Sequence, residues 1–442
     1  MKILIYSLGL PPFRRGGLTN YTVDLAEQLD IDGDNVTFLY PGKIPWRDNG
    51  KVGFREVNSK YRFSCYEMIN PLPVSLTFGN SVDVTKFYAS RSKREIRNFI
   101  RKISPDVVHI HTLMGLPIEF LEVLKEEKIK SVFTTHDYYG LCPKMLTSSP
   151  LEALKSSQCT YDCMLCSVGP SFNKLRLMQS HFYQSFKESK IIKYVRSKQR
   201  EKTSDVTKTF YFSDEQVRER YLLRKYYLKI FDLIDYFHFN STVSKNIFKK
   251  HLPNVKGTVI PLTEKGLKRK LNNNEHTQIT IGFLGGISEK KGFNLFVDAI
   301  NELNQRQLKF AVLCAGSMTS NSFFDKKNVH NVGIIPRKKM NKFYKEIDVL
   351  VVPSRCHETF GLVVLEAISQ SVPVICSDMV GAKDLLENSL IFHSENELVK
   401  KLNDVIKFSK VRERMHQITN SLKVNLNFSE HVDKIKNNFY QN

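Results

Sequence analysis

Apolar and polar positions along the chain follow two alternating rhythms. Short runs rich in β-branched residues, KILIYS at Lys2–Ser7, DVVHIH at Asp106–His111 and SVFTTH at Ser131–His136, read as buried parallel strands, because a strand covered on both faces needs no polar side. Between them, TNYTVDLAEQL and IEFLEVLKEE carry apolar residues at helical spacing. Strand, loop, helix and strand again is the pattern of a doubly wound parallel sheet. DYFHFNS and TVIPL (Thr258–Leu262) add strands on either side of the helix VSKNIFKKH. The second half repeats the rhythm. ITIGFLGGISEKKGFNLFVDAINEL is a strand, a Gly-rich loop and a helix; the strand FAVLCAG, the segment VHNVGIIP and the helix KKMNKFYKEI then lead into IDVLVV at Ile347–Val352, stopped by Pro353. The pattern closes with SVPVICSD and VGAKDLLEN.

At 442 residues the chain is long enough for two hydrophobic cores, since single cores stop growing near roughly 250–300 residues. The polar run Glu264–Gln278, with KRKLNNNEH inside it, reads as a surface linker, and the domain change is placed close to it. The expected domains are residues 1–255, with a basic helical insertion at about 150–230, and residues 256–426.

Charge alters this picture. A net charge of +21 implies an anionic partner: an acidic membrane surface, a phosphorylated substrate or a nucleic acid. Between Ser171 and Ile230 fifteen Lys and Arg face six Asp and Glu, interleaved with Phe182, Phe186, Tyr194, Tyr221, Tyr226 and Tyr227. Such interleaving suits a helix lying in a membrane interface, and a solvated helical insertion accounts for it equally well. No signature of RNA or DNA recognition accompanies the charge, so no nucleic-acid partner is expected. No apolar run approaches the roughly 20 residues of a membrane span. The opening KILIYSLGLPPF is too short, and Pro11, Pro12, Arg14 and Arg15 stand where a signal peptide has its cleavage site. A cytoplasmic location is expected, peripheral to the inner face of the membrane.

Among eight cysteines, Cys142, Cys159, Cys163 and Cys166 cluster around CTYDCMLC. Four thiolates of this kind can close a structural tetrahedral zinc site, although the spacing is not a pair of CxxC knuckles, and reduced thiols or redox pairing account for it as well. Cys65, Cys314, Cys356 and Cys376 read as ordinary small residues in or near strands.

The candidate chemistry gathers in loops after strands. Glu358 and Glu366 stand eight positions apart in PSRCHETFGLVVLEAISQ. Glu358 falls in the loop after a strand, and the N–H groups of Thr359, Phe360, Gly361 and Leu362 open a helix whose unpaired donors and dipole attract a diphosphate. Glu366 is expected about two turns in. Two solvated helix glutamates are the plainer account of the spacing. In GGISEKKG, Lys291 stands at another strand-to-helix loop, where an ammonium neutralises an anionic leaving group; a solvated lysine is the alternative. Gly16 and Gly17 follow the first strand, where backbone can approach a ligand or merely turn. His136 and Asp137, in TTHDYYG, can bond substrate hydroxyls, although a lone histidine is more often structural. His109 and His111 share one face of their strand. No Asp-x-Asp metal motif is present.

These residues resemble the paired-glutamate motif and phosphate loops of glycosyltransferase family 4, retaining enzymes of the GT-B fold. The resemblance spans nearly the whole chain and is most specific from Ile281 to Glu387. It implies two Rossmann-like domains facing each other across a cleft, with a C-terminal helix, 427–442, returning to the first. It implies a sugar transferred from a nucleotide-sugar donor (UDP-, GDP- or another) to an acceptor hydroxyl, with no cofactor required. By the same resemblance Glu358 lies against the donor sugar and Glu366 accepts from the ribose. Residues Thr359–Leu362, with Gly16, Gly17, Gly285, Gly286 and Lys291, lie at the diphosphate, Gly333 and Ile334 lie at the base, and His136 with Asp137 serves the sugar end. Gly286 stands where the family usually has arginine, so Lys290, Arg14 or Arg15 would have to supply the second phosphate cation. The basic insertion suggests a lipid-linked oligosaccharide acceptor in surface-polysaccharide synthesis. A soluble synthase acting on a small sugar, and a non-catalytic protein binding sugar or polyanion, are the alternatives.

Overall fold

The computed structural model of the chain describes residues 1–75, 83–141, 170–186, 189, 212–270 and 278–441. Its residues gather into two compact units. The cysteines 142, 159, 163 and 166, with the expected zinc site, and most of the basic insertion lie outside the described residues.

The first unit comprises Met1–Phe239, Ile247–Thr258 and Lys434–Asn442. Its sheet contains β1 (Lys2–Tyr6), β2 (Asn35–Pro41), β3 (Gly53–Glu56), β4 (Ser64–Ile69), β5 (Val107–Ile110), β6 (Lys130–Thr134), β7 (Tyr236–Phe239) and β8 (Gly257–Val259). The spatial order is β3-β4-β2-β1-β5-β6-β7-β8. Only β3 against β4 is antiparallel among the registered pairs. The central strands β1, β5 and β6 are buried almost throughout, which is why their sequences lack a polar face. The helix Asp214–Asp232 starts at a capping box, with Ser213 and Gln216 satisfying each other's backbone N–H. The C-terminal residues finish this unit. Lys436 Nζ lies 2.6 Å from Asp34 Oδ2, and the Tyr440 hydroxyl lies 2.6 Å from His109 Nδ1 in the buried interior.

The second unit comprises Asn240–Asn246 and Val259–Asp433. Its strands are β9 (Thr280–Leu284), β10 (Ala311–Ala315), β11 (Val329–Asn331), β12 (Val349–Val352), β13 (Val374–Ser377) and β14 (Ile391–Phe392), all parallel. Their order, β11-β10-β9-β12-β13-β14, is the doubly wound Rossmann arrangement. In it the winding reverses between β9 and β12, and the loops leaving these two strands part to leave a crevice. Asp348, the polar residue of the expected strand, precedes β12 and accepts a hydrogen bond from the Thr280 N–H at 2.7 Å, so it fixes the start of β9 beside β12. Phe283, Phe293, Phe296, Val351 and Leu402 share the core between sheet and helices.

Of the run expected as a surface linker, residues 264–270 are described, and they are tied to this unit at both ends although Lys265, Lys268 and Lys270 are exposed. Glu264 is only 7% exposed, and the Lys270 N–H donates to the Ser369 carbonyl at 2.8 Å. Polar composition was read as solvation, whereas backbone and carboxylate here find partners within the fold.

Candidate active site

The loop leaving β9 is shaped by close backbone approach. Gly285 N donates to Ala315 O at 2.9 Å, and a Cβ on Gly316 would sit 2.8 Å from Gly285 O. Ser288 accepts from Lys291 N and so caps the turn Glu289–Lys291. Gly292 then takes φ +68°, with the place of a Cβ only 1.7 Å from Pro353 O. Only glycine tolerates that conformation and contact together. The contact holds the loop after β9 against the end of β12.

Lys291 is thereby delivered to Glu358. Its Nζ lies 2.8 Å from Glu358 Oε1, which also accepts from the Ser354 hydroxyl. Burial works against the Lys291 charge, but Glu358 outweighs it, and the ammonium is held above its ordinary pKa. Glu358 is itself pinned by its backbone: its N–H donates to Met379 O and its carbonyl accepts from Gly381 N, each at 3.0 Å. Phe360 is buried, and its carbonyl accepts from Ala382 N at 2.6 Å.

Gly361 takes φ +100°, where a Cβ would lie 2.6 Å from Val380 Cγ1. It begins the helix Leu362–Ser369 with no side chain to cap it; the Val364 N–H donates to the Gly361 carbonyl at 3.0 Å, and the N–H groups of Leu362 and Val363 are placed to meet an anion. Because the helix begins at Leu362, Glu366 is its fifth residue. It therefore lies little more than one turn in rather than the expected two.

Glu366 Oε2 accepts from the Tyr344 hydroxyl at 2.8 Å, and its carboxyl meets that of Glu264. Burial and the Glu366 charge push Glu264 up to about 7; burial also raises Glu366. Arg337 reaches Glu264 Oε2 at 3.4 Å.

Gly286 has open space around it, with nothing within 4 Å of a Cβ placed there. Nothing in the backbone demands a glycine, so the arginine usual at this position is absent without a steric cause. Burial lowers the Lys290 pKa. Gly333 takes φ +69°, donates to Asn331 Oδ1 at 3.0 Å and accepts from Gly316 N at 2.8 Å, so Gly285, Gly316 and Gly333 form one backbone rim. Beside it Ile334 is 68% exposed, and Met318 and Val332 are exposed as well.

The remaining expected residues belong to the first unit. Gly16 and Gly17 are exposed at the start of the helix Gly17–Ile31. His136 follows β6, and its Nε2 lies 3.0 Å from His111 Nδ1; the ring of Tyr21 packs edge-on at 5.1 Å. His111 Nε2 is buried without a partner among the described residues. An orphaned acceptor costs less than an orphaned N–H, which assigns the His111 proton to Nδ1, donated to His136. Burial lowers His111 far below its usual pKa and takes His136 to about 3, so both rings are neutral. Asp137 accepts from Tyr139 N at 2.9 Å and is raised by burial to about 6.

Sequence reasoning missed His111, Glu264, Arg337, Tyr344 and Ser354. Only His111 left a signal, since a residue two after its expected face-mate His109 and level with the end of β6 is placed to meet His136.

A parallel Rossmann unit with an uncapped helix and a lysine at its switch point has the form of an anion-binding site, and comparison with known proteins gives the protein's class. Residues 15–158 match the model described as Glycosyltransferase Family 4, and residues 278–408 the model described as Glycosyl transferases group 1. An uncharacterized 42.6 kDa protein in the cps region of Klebsiella pneumoniae is 23% identical over 395 residues, covering 87% of each chain. Sucrose-phosphate synthase from Thermosynechococcus elongatus superposes with a TM-score of 0.59 at 14% identity, over 98% of this chain and 97% of that one. Anabaena HepE in complex with UDP and glucose does so with a TM-score of 0.52 at 13% identity, over 95% and 94%. The protein is a glycosyltransferase of the GT-B fold. It belongs to glycosyltransferase family 4, the two matched segments together spanning more than half of the chain.

Proposed function

We propose that the protein transfers a sugar, with retention at the anomeric carbon, from a nucleoside-diphosphate sugar to a hydroxyl of a lipid-linked saccharide in surface-polysaccharide synthesis. The observation that carries the donor half is the meeting of Lys291 with Glu358 at the switch point, beside the uncapped helix Leu362–Ser369. An ammonium and a set of first-turn N–H groups stabilise the charge that grows on a departing diphosphate. Glu358, hydrogen-bonded by Lys291 and Ser354, is the group for the donor sugar. Glu366 accepts from the ribose, and the rim at Gly333 with exposed Ile334 and Met318 receives the base. No metal has a role in this scheme, the cation being Lys291. In the first unit His136 and Asp137 bond sugar hydroxyls. Retention and these roles are what the family resemblance implies, and the UDP and glucose held by Anabaena HepE support a nucleotide-sugar donor. The cps-region relative supports the polysaccharide setting.

The lipid-linked acceptor rests on an exposed aromatic and basic patch in the first unit. Trp46 is 82% and Phe182 70% exposed, the Arg176 guanidinium stacks on Trp46 at 3.9 Å, and Leu177 and Phe186 are exposed nearby in sequence. Aromatic rings with cations suit an anionic membrane surface. No described helix is long and apolar enough to cross a membrane.

The test is calorimetric. UDP or GDP should bind the wild type selectively, and Glu366→Ala should weaken that binding by roughly tenfold or more, as loss of hydrogen bonds to a charged group does. Equal binding by the variant would overturn the site. Flotation with anionic and neutral liposomes tests the acceptor: no preference for anionic lipid would replace the lipid-linked acceptor with a small soluble sugar.

A further inference from the structure

Two carboxyl groups meet in the second unit, that of Glu264 buried and that of Glu366 half-buried. Glu264 follows the strand region at Val259 and is buried, and its Oε2 receives no hydrogen bond from an N–H or O–H among the described residues. Its charged neighbours are Glu366, on the helix Leu362–Ser369, and Arg337, on the turn Arg337–Lys339, whose guanidinium stands 3.4 Å away. The Tyr344 hydroxyl, on the helix Met340–Lys345, is committed to Glu366. A buried carboxylate oxygen with no donor is costly, and two carboxylates in contact do not both ionise at neutral pH. One proton between them removes both costs.

We propose that Glu264 and Glu366 share one proton, and that Glu264 is thereby the positioning residue that aims the Glu366 carboxylate at the ribose of the donor. The inference rests on the reading of Glu366 as the ribose acceptor. A carboxylate offers about four lone-pair positions. At Glu366 one is taken by Tyr344 and one by the Glu264 proton, which leaves two, the number a ribose 2′,3′-diol fills. When Glu264 ionises as the pH rises through about 7, the donor becomes a second negative charge and the Glu366 carboxylate loses its fixed orientation. Donor binding then weakens on the alkaline side. Arg337 limits the repulsion without replacing the lost hydrogen bond, since it addresses Glu264 rather than Glu366.

The experiment measures binding of UDP and GDP to the wild type, Glu264→Gln, Glu264→Leu and Glu366→Ala at pH 6.0 and pH 8.5, with thermal unfolding to verify that each is folded. Ionisation of the ligand's own phosphate is common to all four proteins and cancels in comparisons at one pH. Wild type should bind roughly tenfold more weakly at pH 8.5 than at pH 6.0, relative to Glu264→Gln, whose amide N–H donates without titrating. Glu264→Leu should bind roughly tenfold more weakly than wild type at pH 6.0, having no donor. A Glu264→Gln variant with the same pH dependence as the wild type would overturn the shared proton, and because the change is nearly isosteric this arm survives even if Glu264→Leu fails to fold. Undiminished binding by Glu366→Ala, or binding of neither nucleotide to the wild type, would instead remove the reading of Glu366 beneath it.

Discussion

At the ends of β5 and β6 the first unit holds imidazoles bonded to one another, whereas at the ends of β9 and β12 the second holds an ammonium and three carboxyl groups. In the second sheet that place is the switch point, between β9 and β12, whereas in the first sheet the winding reverses between β1 and β5 and the imidazoles stand one strand beyond it. What differs is how burial has been answered. In the first unit desolvation has stripped charge, leaving His111 and His136 neutral. In the second, Lys291 keeps its charge because Glu358 is within hydrogen-bond reach, and the other two carboxyls meet each other. One topology thus presents two chemistries, and the choice is made by a few side chains on loops.

The largest effect should come from removing the charge that marks the second crevice. Lys291→Ala should lower turnover by about 100- to 1,000-fold, as for other lost donors at a developing anion, measured as kcat with saturating donor. A near-normal rate would erase the distinction between the crevices. The next contrast is in pH. His136, with its pKa depressed to about 3, adds stability that is present above its unfolded value near 6.5 and lost as the pH falls. Glu264, raised to about 7, adds stability that is present below about 4.5 and lost as the pH rises through 7. Each unit of displacement corresponds to about 1.4 kcal/mol. Unfolding scans from pH 4.5 to 8 should therefore show Glu264→Gln gaining Tm over the wild type above pH 7, and His136→Asn losing less of its Tm than the wild type below pH 6. Parallel curves for all three proteins would dissolve the comparison. The smallest effect sharpens it: Gly286→Arg fills open space with the cation usual in the family, and should tighten nucleotide binding by about fivefold, about 1 kcal/mol. Unchanged affinity would place that space away from the diphosphate.

The strands, the second unit's glycine loops and the placing of Lys291, Glu358 and Glu366 beside them were legible because each lies in a local pattern: an apolar run, then glycine, then helix. Glu264 was not, because nothing in KRKLNNNEH or its approach reveals that a polar run doubles back to meet a residue about a hundred positions later. His111 was half legible; its face was given by strand alternation, but its partner depended on the register of β5 with β6. The depth of Glu366 was overstated because the helix was started at Thr359, whereas the left-handed Gly361 delays it to Leu362.

Tyr440 ties the end of the chain to His109, and His109 passes the contact through Thr134 to His238, at 2.7 and 2.9 Å. Every strand of that sheet is encoded before residue 260, yet the buried string is closed by a hydroxyl encoded 331 positions after His109. During synthesis the first unit therefore cannot complete this buried string until the sequence of the second has been translated.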